Sequence, residues 1–177
     1  MKRKLICLAV PMMLFAGGCG NEEVKKEDKV EAVEKEKVAY IDQVLQFSND
    51  FEDIISKVSK LTHEDETLFS NKEEFIETVN EFTALFDRLN KLEPDEEYRV
   101  QHDKLKRAMG YYAEAFSLQM DSIEDPYSGK LKLANASLKD GLTLYMKSMG
   151  AINDIRRGYE VGTTEKNLEE KKQNKEG

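Results

Sequence analysis

Apolar residues recur at alternating steps of three and four in four long segments, and this spacing determines the predicted fold class. Side chains at such steps form a stripe along one face of an α-helix. In the first segment the stripe comprises Val44, Phe47, Phe51, Ile54, Val58 and Leu61. The second and third stripes run from Phe75 to Leu89 and from Tyr98 to Ile123. No strand-like alternation of useful length interrupts them, so the sequence predicts an all-α protein.

The fourth stripe predicts which face of the last helix is buried. It comprises Leu131, Ala134, Leu138, Leu142, Tyr145, Met149, Ile152, Ile155 and Tyr159. Two short turns and one longer loop, residues 62–69, join the four segments, which favours neighbouring helices packed antiparallel. We therefore predict an antiparallel four-helix bundle of up-down-up-down order over residues 38–160. The pattern leaves open whether the first helix packs instead against a second copy of the chain.

Three sequence signals predict where these helices begin and end. Ser70 followed by Glu73 has the spacing of a capping box, which predicts that the second helix begins there. Pro94 follows the second stripe, and Asp125 with Pro126 follows the third. Because a residue before proline disfavours helical conformation, the second and third helices are expected to end before these positions.

The first eighteen residues have the layout of a secretory signal peptide. Three basic residues within the first four are followed by an uncharged run from Leu5 to Phe15 and then by small residues. A membrane-spanning helix needs about 20 apolar residues. From Leu5 to Cys19 there are only fifteen before a polar region begins. Residues 1–18 are therefore predicted to be an export signal.

The small residues Ala16, Gly17 and Gly18 before Cys19 resemble the bacterial lipobox. That pattern usually has Leu where this chain has Ala16. The resemblance implies cleavage after Gly18 and attachment of a diacylglycerol to the thiol of Cys19, with palmitate as a typical acyl chain. Two acyl chains give a stable membrane anchor. The alternative is an ordinary signal peptide, which would leave a soluble secreted chain with a free thiol.

The charge balance restricts the partners of the mature chain. The whole chain has 27 basic and 35 acidic residues, and removal of residues 1–18 leaves 24 basic residues and a net charge of −11. Such a surface repels nucleic acid and anionic lipid headgroups. We therefore expect no nucleic-acid partner, and we expect contact with the membrane through the lipid. The predicted location is extracytoplasmic, anchored to the cell membrane.

Strongly charged segments flank the predicted bundle. Residues 20–37 lack aromatic side chains and are rich in Glu and Lys, so they bury too little apolar area to offset the entropy of ordering. We interpret residues 19–37 as the lipidated cysteine and a solvated tether with partial helical character. Residues 161–177 are similarly charged and are predicted to be a disordered tail.

The sequence lacks the usual signs of catalytic or metal chemistry. No Asp or Glu occupies any of the four stripes, and neither His63 nor His102 has the Glu three positions earlier that di-metal bundles use. Glycine loops for phosphate, calcium loops, paired-cysteine motifs and nucleophile elbows are also absent from the sequence. We therefore predict a protein that is not an enzyme and has no cofactor or metal site.

Two classes of binding function remain open at this stage. The first is an interaction module for another envelope protein, with the tyrosine-rich third and fourth helices as its surface. The second is a bundle that binds a small ligand or a metal between its helices. The candidate ligand or interface residues are His102, Tyr98, Tyr112 and Tyr145. The simpler interpretation of each is a core or boundary side chain.

The order of segments along the chain resembles uncharacterised small all-helical lipoproteins of Gram-positive bacteria such as bacilli. The shared features are a basic start, a lipobox, a spacer rich in Glu and Lys, and one small helical domain. The lipobox is the specific motif among them. The resemblance implies a functional role for Cys19 and implies no activity.

Overall fold

The computed structural model describes residues 24–167 and residue 170, with side chains from Tyr40 onward except at residues 168 and 169. The described part is all-helical and forms a helical bundle. Gly18 and Cys19 lie outside it, as does the predicted export signal. A short helical segment at residues 163–167 follows four long helices, which are α1 (Val24–Glu64), α2 (Lys72–Asn90), α3 (Glu96–Glu124) and α4 (Lys130–Arg156). Residues 24–37, expected to be a tether, thus belong to α1.

The prolines mark the helix ends as predicted. α2 ends at Asn90, four residues before Pro94, and the N–H of Lys91 donates to carbonyl groups of its last turn. α3 ends at Glu124, immediately before Asp125 and Pro126. These boundaries confirm the expectation that the second and third helices stop before the prolines.

The predicted capping box at the start of α2 is wrong. Asn71 occupies the N-cap, and no side chain caps the helix. Ser70 instead donates its hydroxyl and its backbone N–H to the carboxylate of Asp65, at 2.6 and 2.9 Å. Thr67 donates to the same carboxylate. Because the Ser70 hydroxyl bonds to Asp65, it does not cap α2. The same hydrogen bonds hold the pKa of Asp65 well below its usual value.

The core contains an aromatic side chain from each of the four helices. Phe51 of α1 lies 4.8 Å from the ring centre of Tyr112 in α3 and 4.9 Å from that of Tyr145 in α4. Phe82 of α2 packs against it at 6.3 Å. Tilted and edge-on ring pairs at such distances stabilise beyond the area they bury. Every member of the first stripe is buried, as predicted.

The predicted buried face of α4 is correct only in part, since Ala134, Tyr145 and Ile152 are buried as expected. Leu142 and Tyr159 are 52% and 55% exposed, and Leu131 and Leu138 are only half-buried. The buried residues of α4 are mostly small: Ala134, Gly141, Tyr145, Ser148, Ala151, Ile152 and Asp154. A Cβ on Gly141 would lie 3.0 Å from the Tyr112 ring. The close approach of α4 to α3 requires small side chains, and this requirement overrides hydrophobicity in choosing the buried face.

The start of the predicted disordered tail is ordered against α4. Asp154 is fully buried and accepts hydrogen bonds from the backbone N–H groups of Gly162 and Thr164, at 2.9 and 3.1 Å, and from the Thr164 hydroxyl. Burial acts to raise the pKa of Asp154, but these hydrogen bonds outweigh it and lower the pKa. Lys147 also pairs with Glu165 at 2.9 Å. Asp154 is thus a buried carboxylate, although it is not a member of the stripe predicted to be buried on α4.

Candidate functional site

The four candidate residues from the sequence lie in the core. Tyr98, His102, Tyr112 and Tyr145 are between 3% and 6% exposed. Tyr112 and Tyr145 pack around Phe51, whereas Tyr98 and His102 both contact the ring of Tyr40. These side chains therefore do not form the exposed tyrosine surface that the interaction hypothesis expects.

His102 has a hydrogen-bond partner in the core. Its Nδ1 lies 3.3 Å from the hydroxyl oxygen of Tyr40, whose ring also packs on Tyr98 at 5.3 Å. Burial, with a smaller effect of Lys106, lowers the pKa of His102, so the imidazole is neutral at neutral pH. Burial raises the pKa of Tyr40, so its hydroxyl keeps the proton that it can donate to Nδ1. No group of three His, Cys, Asp or Glu side chains among the described residues can hold a metal ion.

A second polar pair joins α1 to α4 inside the core. The hydroxyl groups of Ser48 and Tyr145 lie 2.7 Å apart. Burial raises the pKa of Tyr145, and it raises the pKa of Tyr112 to about 12. Both phenols are therefore protonated at neutral pH and cannot serve as bases. The hydrogen bond between Ser48 and Tyr145 stabilises the core.

The structure reveals a site that the sequence does not predict, an open groove between α1 and α4. Its volume is about 640 Å³, within the range of small-molecule sites. Most of its lining is apolar, and the charged residues Glu66 and Lys139 that border it are exposed. The apolar walls and floor include Ile55 and Val58 of α1, Tyr112 and Phe116 of α3, and Leu131, Leu138 and Leu142 of α4.

The groove is open because its two walls are held by different neighbours. α4 packs closely on α3, where Gly141 meets Tyr112. α1 is joined to α2 by ion pairs of Lys57 with Glu81 and of Asp50 with Arg88. The α1 and α4 walls are linked at Ser48 and Tyr145. Beyond that link the leucines of α4 face the groove and are only partly covered.

A buried amide lies in the floor of the groove. Gln119 of α3 is 3% exposed, and its side-chain oxygen, Oε1, has no hydrogen-bond partner. Buried polar atoms are almost always paired, so this oxygen requires an explanation. Gln101 has the same property and lines a second cavity, which α3 and α4 form with residues 161–165. The second cavity also contains charged side chains, including Lys104 and Glu165.

Two signals in the sequence point to this site. Ala134, Gly141 and Ser148 recur every seven residues, which marks a small-residue face on α4 different from its leucine face. Gln119 is a polar residue between two members of the third stripe, Phe116 and Met120. Neither signal by itself shows that α1 stands away from the leucine face.

Across the residues that the structure describes, no helix has the length and apolar character needed to cross a membrane.

The comparisons with known proteins identify a family but no activity. Neither the curated proteins nor the solved structures contain a match to this sequence. A family described as a domain of unknown function, DUF7018, matches residues 32–149, which include α2, α3 and the groove-lining residues of α1 and α4. Because this match spans about two thirds of the sequence, the chain belongs to the DUF7018 family.

Proposed function

We propose that this protein is an extracytoplasmic lipoprotein anchored through Cys19, and that its helical domain is a non-enzymatic binding module. The observation that carries the binding role is the open apolar groove between α1 and α4. Concave apolar surfaces with a few polar groups are the usual form of ligand sites. The groove is bordered by Leu142, which is 52% exposed although the fourth stripe predicts it to be buried. A ligand in the groove would cover this side chain together with the other apolar residues of the lining.

The proposed anchor rests on the sequence around Cys19. α1 begins at Val24, so a lipid on Cys19 would hold the start of this helix close to the membrane surface. The first groove residue of α1, Ile55, is 31 residues further along, which corresponds to a rise of about 45 Å. The groove would therefore face molecules in the envelope at a distance from the bilayer.

The contacts also support a proposed up-down-up-down order of the four helices. On α1 and α2, Asp50 pairs with Arg88 and Lys57 with Glu81, so the residue numbers run in opposite directions. Lys72 of α2 pairs with Glu124 of α3. Spin-label distances test the order. An antiparallel pair gives a shorter distance from position 60 to position 72 than to position 91, and the reverse result would contradict it.

The anchor is tested by intact mass and membrane fractionation in the native host, with Cys19→Ala as the comparison. The proposal predicts a chain that starts at Cys19, carries a lipid-sized mass increment and sediments with membranes. The Cys19→Ala variant should lack the increment and leave the membrane fraction. An unmodified parent chain in the medium would refute the anchor.

The groove is tested with N-phenylnaphthylamine, a neutral dye whose fluorescence rises in apolar sites. The full chain carrying Cys19→Ala is used, because no attached lipid then competes for the dye. Leu142→Glu should weaken dye binding about tenfold, since it places a charge in the apolar wall. Leu133→Glu is the matched control because Leu133 is 58% exposed on the same helix but does not line the groove. Equal effects of the two substitutions, or no binding by the parent, would refute the binding role.

An envelope protein is the alternative occupant of the groove. A benzoylphenylalanine placed at position 142 would then crosslink to another polypeptide in intact cells, while one at position 133 would not. The metal-binding alternative has weaker support, because the Nδ1 of His102 contacts Tyr40 and the groove does not include His102.

A further inference from the structure

Residues 157–165 form a strap that turns back along α4 from its C-terminal end. The chain reverses at Gly158 and Gly162, whose φ angles are +70° and +100°, a backbone conformation that favours glycine. Further along the strap, Thr164 Cγ2 lies 3.5 Å from the position that a Cβ would take at Gly150. The strap therefore lies along the last two turns of α4.

A buried carboxylate of α4 holds the strap in place. Asp154 is fully buried, and it accepts hydrogen bonds from the backbone N–H groups of Gly162 and Thr164 and from the Thr164 hydroxyl. Hydrogen bonds to an ionised carboxylate are stronger than those between neutral groups. Burial acts to raise the pKa of Asp154, but these hydrogen bonds outweigh it and lower the pKa, so the carboxylate is charged at neutral pH.

Little else holds the strap. None of its residues is buried, and Val161 is 47% exposed. Its ion pair, Glu165 with Lys147, is exposed to solvent, where such pairs contribute little stability. A segment with so little buried apolar area opens locally at a lower free-energy cost than unfolding of the whole bundle. The closed position of the strap therefore depends on Asp154.

The strap forms one wall of the second cavity, and α3 and α4 form the others. The volume of this cavity is about 640 Å³. The strap residues that line it are Val161, Gly162, Thr164 and Glu165. Ala151 of α4 also lines the cavity and is 7% exposed while the strap is closed. We propose that the strap is a gate to this cavity, held closed by the charged carboxylate of Asp154 and released when that charge is lost.

The proposed gate responds to pH in one direction. Release of the strap returns the pKa of Asp154 to its ordinary value of about 4, so the ionised carboxylate favours the closed strap and acid favours the open one. The charged groups that line the cavity with Asp154 are Lys104 of α3, Lys147 of α4 and Glu165 of the strap. Both lysines stay charged in acid, whereas Glu165 is also neutralised. Glu165→Gln separates the two carboxylates, and the strap of this variant should still open in acid.

Spin labels test whether the charge on Asp154 holds the strap closed. The sequence contains two cysteines, so the full chain with Cys7→Ala and Cys19→Ala carries labels only where cysteines are introduced. Positions 136 on α4 and 166 after the strap are exposed and suit the labels. The parent should give one short, narrow distance between them.

The substitution Asp154→Asn keeps the size of the side chain and removes its charge. It should raise the ratio of open to closed strap about tenfold, because charge-assisted hydrogen bonds are lost, and the open strap gives longer and broader distances. Asp140→Asn is the matched control, since Asp140 is an exposed carboxylate of the same helix. It should leave the distance unchanged.

A thiol in the cavity wall tests whether the strap is a gate. In the same cysteine-free background, Ala151→Cys should react with the neutral reagent N-ethylmaleimide about tenfold faster when Asp154→Asn is added. Ala115→Cys, at a fully buried position of α3, should stay slow in both chains. Thr164→Val removes one hydrogen bond and keeps the charge of Asp154, so a smaller increase there assigns the effect to the strap. It also replaces Asp154→Asn if that variant fails to fold.

Three outcomes would overturn the proposal. An unchanged distance in Asp154→Asn would exclude the role of the charge, and an open strap with an unchanged rate at position 151 would exclude the gate. Equal acceleration at position 115 would show that the whole bundle opens. These measurements do not involve the groove between α1 and α4, so the proposed binding role stands or falls separately.

Discussion

The two sides of α4 differ in how closely they meet a neighbour. The side that faces α3 is lined with small residues and is closed, and Gly141 fits directly against the Tyr112 ring. The side that faces α1 has larger apolar residues, yet it remains partly open, with Leu142 52% exposed. Apolar character therefore does not determine which face is buried. The closed side uses small residues to bring two helices together, and the open side leaves apolar area uncovered.

The largest expected effect on stability concerns Phe51, through which α1 contacts α3 and α4 in the core. Phe51 joins α1 to Tyr112 and Tyr145, and it is 2% exposed. Phe51→Ala should lower the free energy of unfolding by about 3–5 kcal/mol, because it leaves a cavity among four helices. Leu142→Ala should lower it by less than about 0.5 kcal/mol, because its side chain borders the open groove. Urea unfolding measures both, and similar losses would contradict the difference between core and groove.

The next effect tests the closed side of α4. A Cβ at position 141 would lie 3.0 Å from two atoms of the Tyr112 ring and 3.2 Å from Tyr111 Cβ. Gly141→Ala should therefore destabilise the protein by about 1–3 kcal/mol, although alanine is the better helix former. The melting temperature of the variant reports this loss.

Gly110 provides the matched control for Gly141. It lies in α3 and is exposed, and a Cβ there would meet no atom within 4 Å. Gly110→Ala should therefore stabilise the protein by about 1 kcal/mol through helix propensity alone. If Gly141→Ala were stabilising to the same extent, the close approach of α3 and α4 would be disproved.

The smallest effect concerns the polar link between the two walls of the groove. Tyr145→Phe removes the hydrogen bond to Ser48, which is 2.7 Å long in the core. The expected loss is about 1 kcal/mol, the net contribution of one buried hydrogen bond. Tyr159→Phe should change stability by less than about 0.5 kcal/mol, because Tyr159 is 55% exposed. Thermal unfolding of the Tyr145→Phe and Tyr159→Phe variants measures the difference. An equal effect would show that the hydrogen bond between Ser48 and Tyr145 does not stabilise the contact of α1 with α4.

The sequence predicts the helices well because the signals for them are local. Proline positions and a period of three to four depend on neighbouring residues, and the ends of α2 and α3 and the buried stripe of α1 follow them. The prediction for α4 fails at Leu142 because the fit of Gly141 against Tyr112 is a contact between distant residues. A hydrophobicity pattern ranks leucine above glycine and cannot register that fit.

The contacts of the candidate site residues depend on residues distant in the sequence even more than the buried face of α4 does. The buried state of His102 and Tyr145 follows from their stripe positions, but the partners Tyr40 and Ser48 do not. Asp154 is buried because residues 162–164 fold back onto it, which the charged composition of that segment does not reveal. The place of Gln119 in the floor of the groove likewise depends on how α1, α3 and α4 pack, which the stripe does not reveal.

The central claim is that the open side of α4 binds a ligand, and leucine-methyl NMR tests it most directly. N-phenylnaphthylamine is titrated into the full chain carrying Cys19→Ala, with its leucine methyl groups labelled. The account predicts shifts at Leu131, Leu138 and Leu142, which line the groove, and little change at the fully buried Leu89 and Leu105. Saturable shifts confined to the groove would support the binding role. Unchanged groove methyls, or equal shifts at the buried leucines, would contradict it.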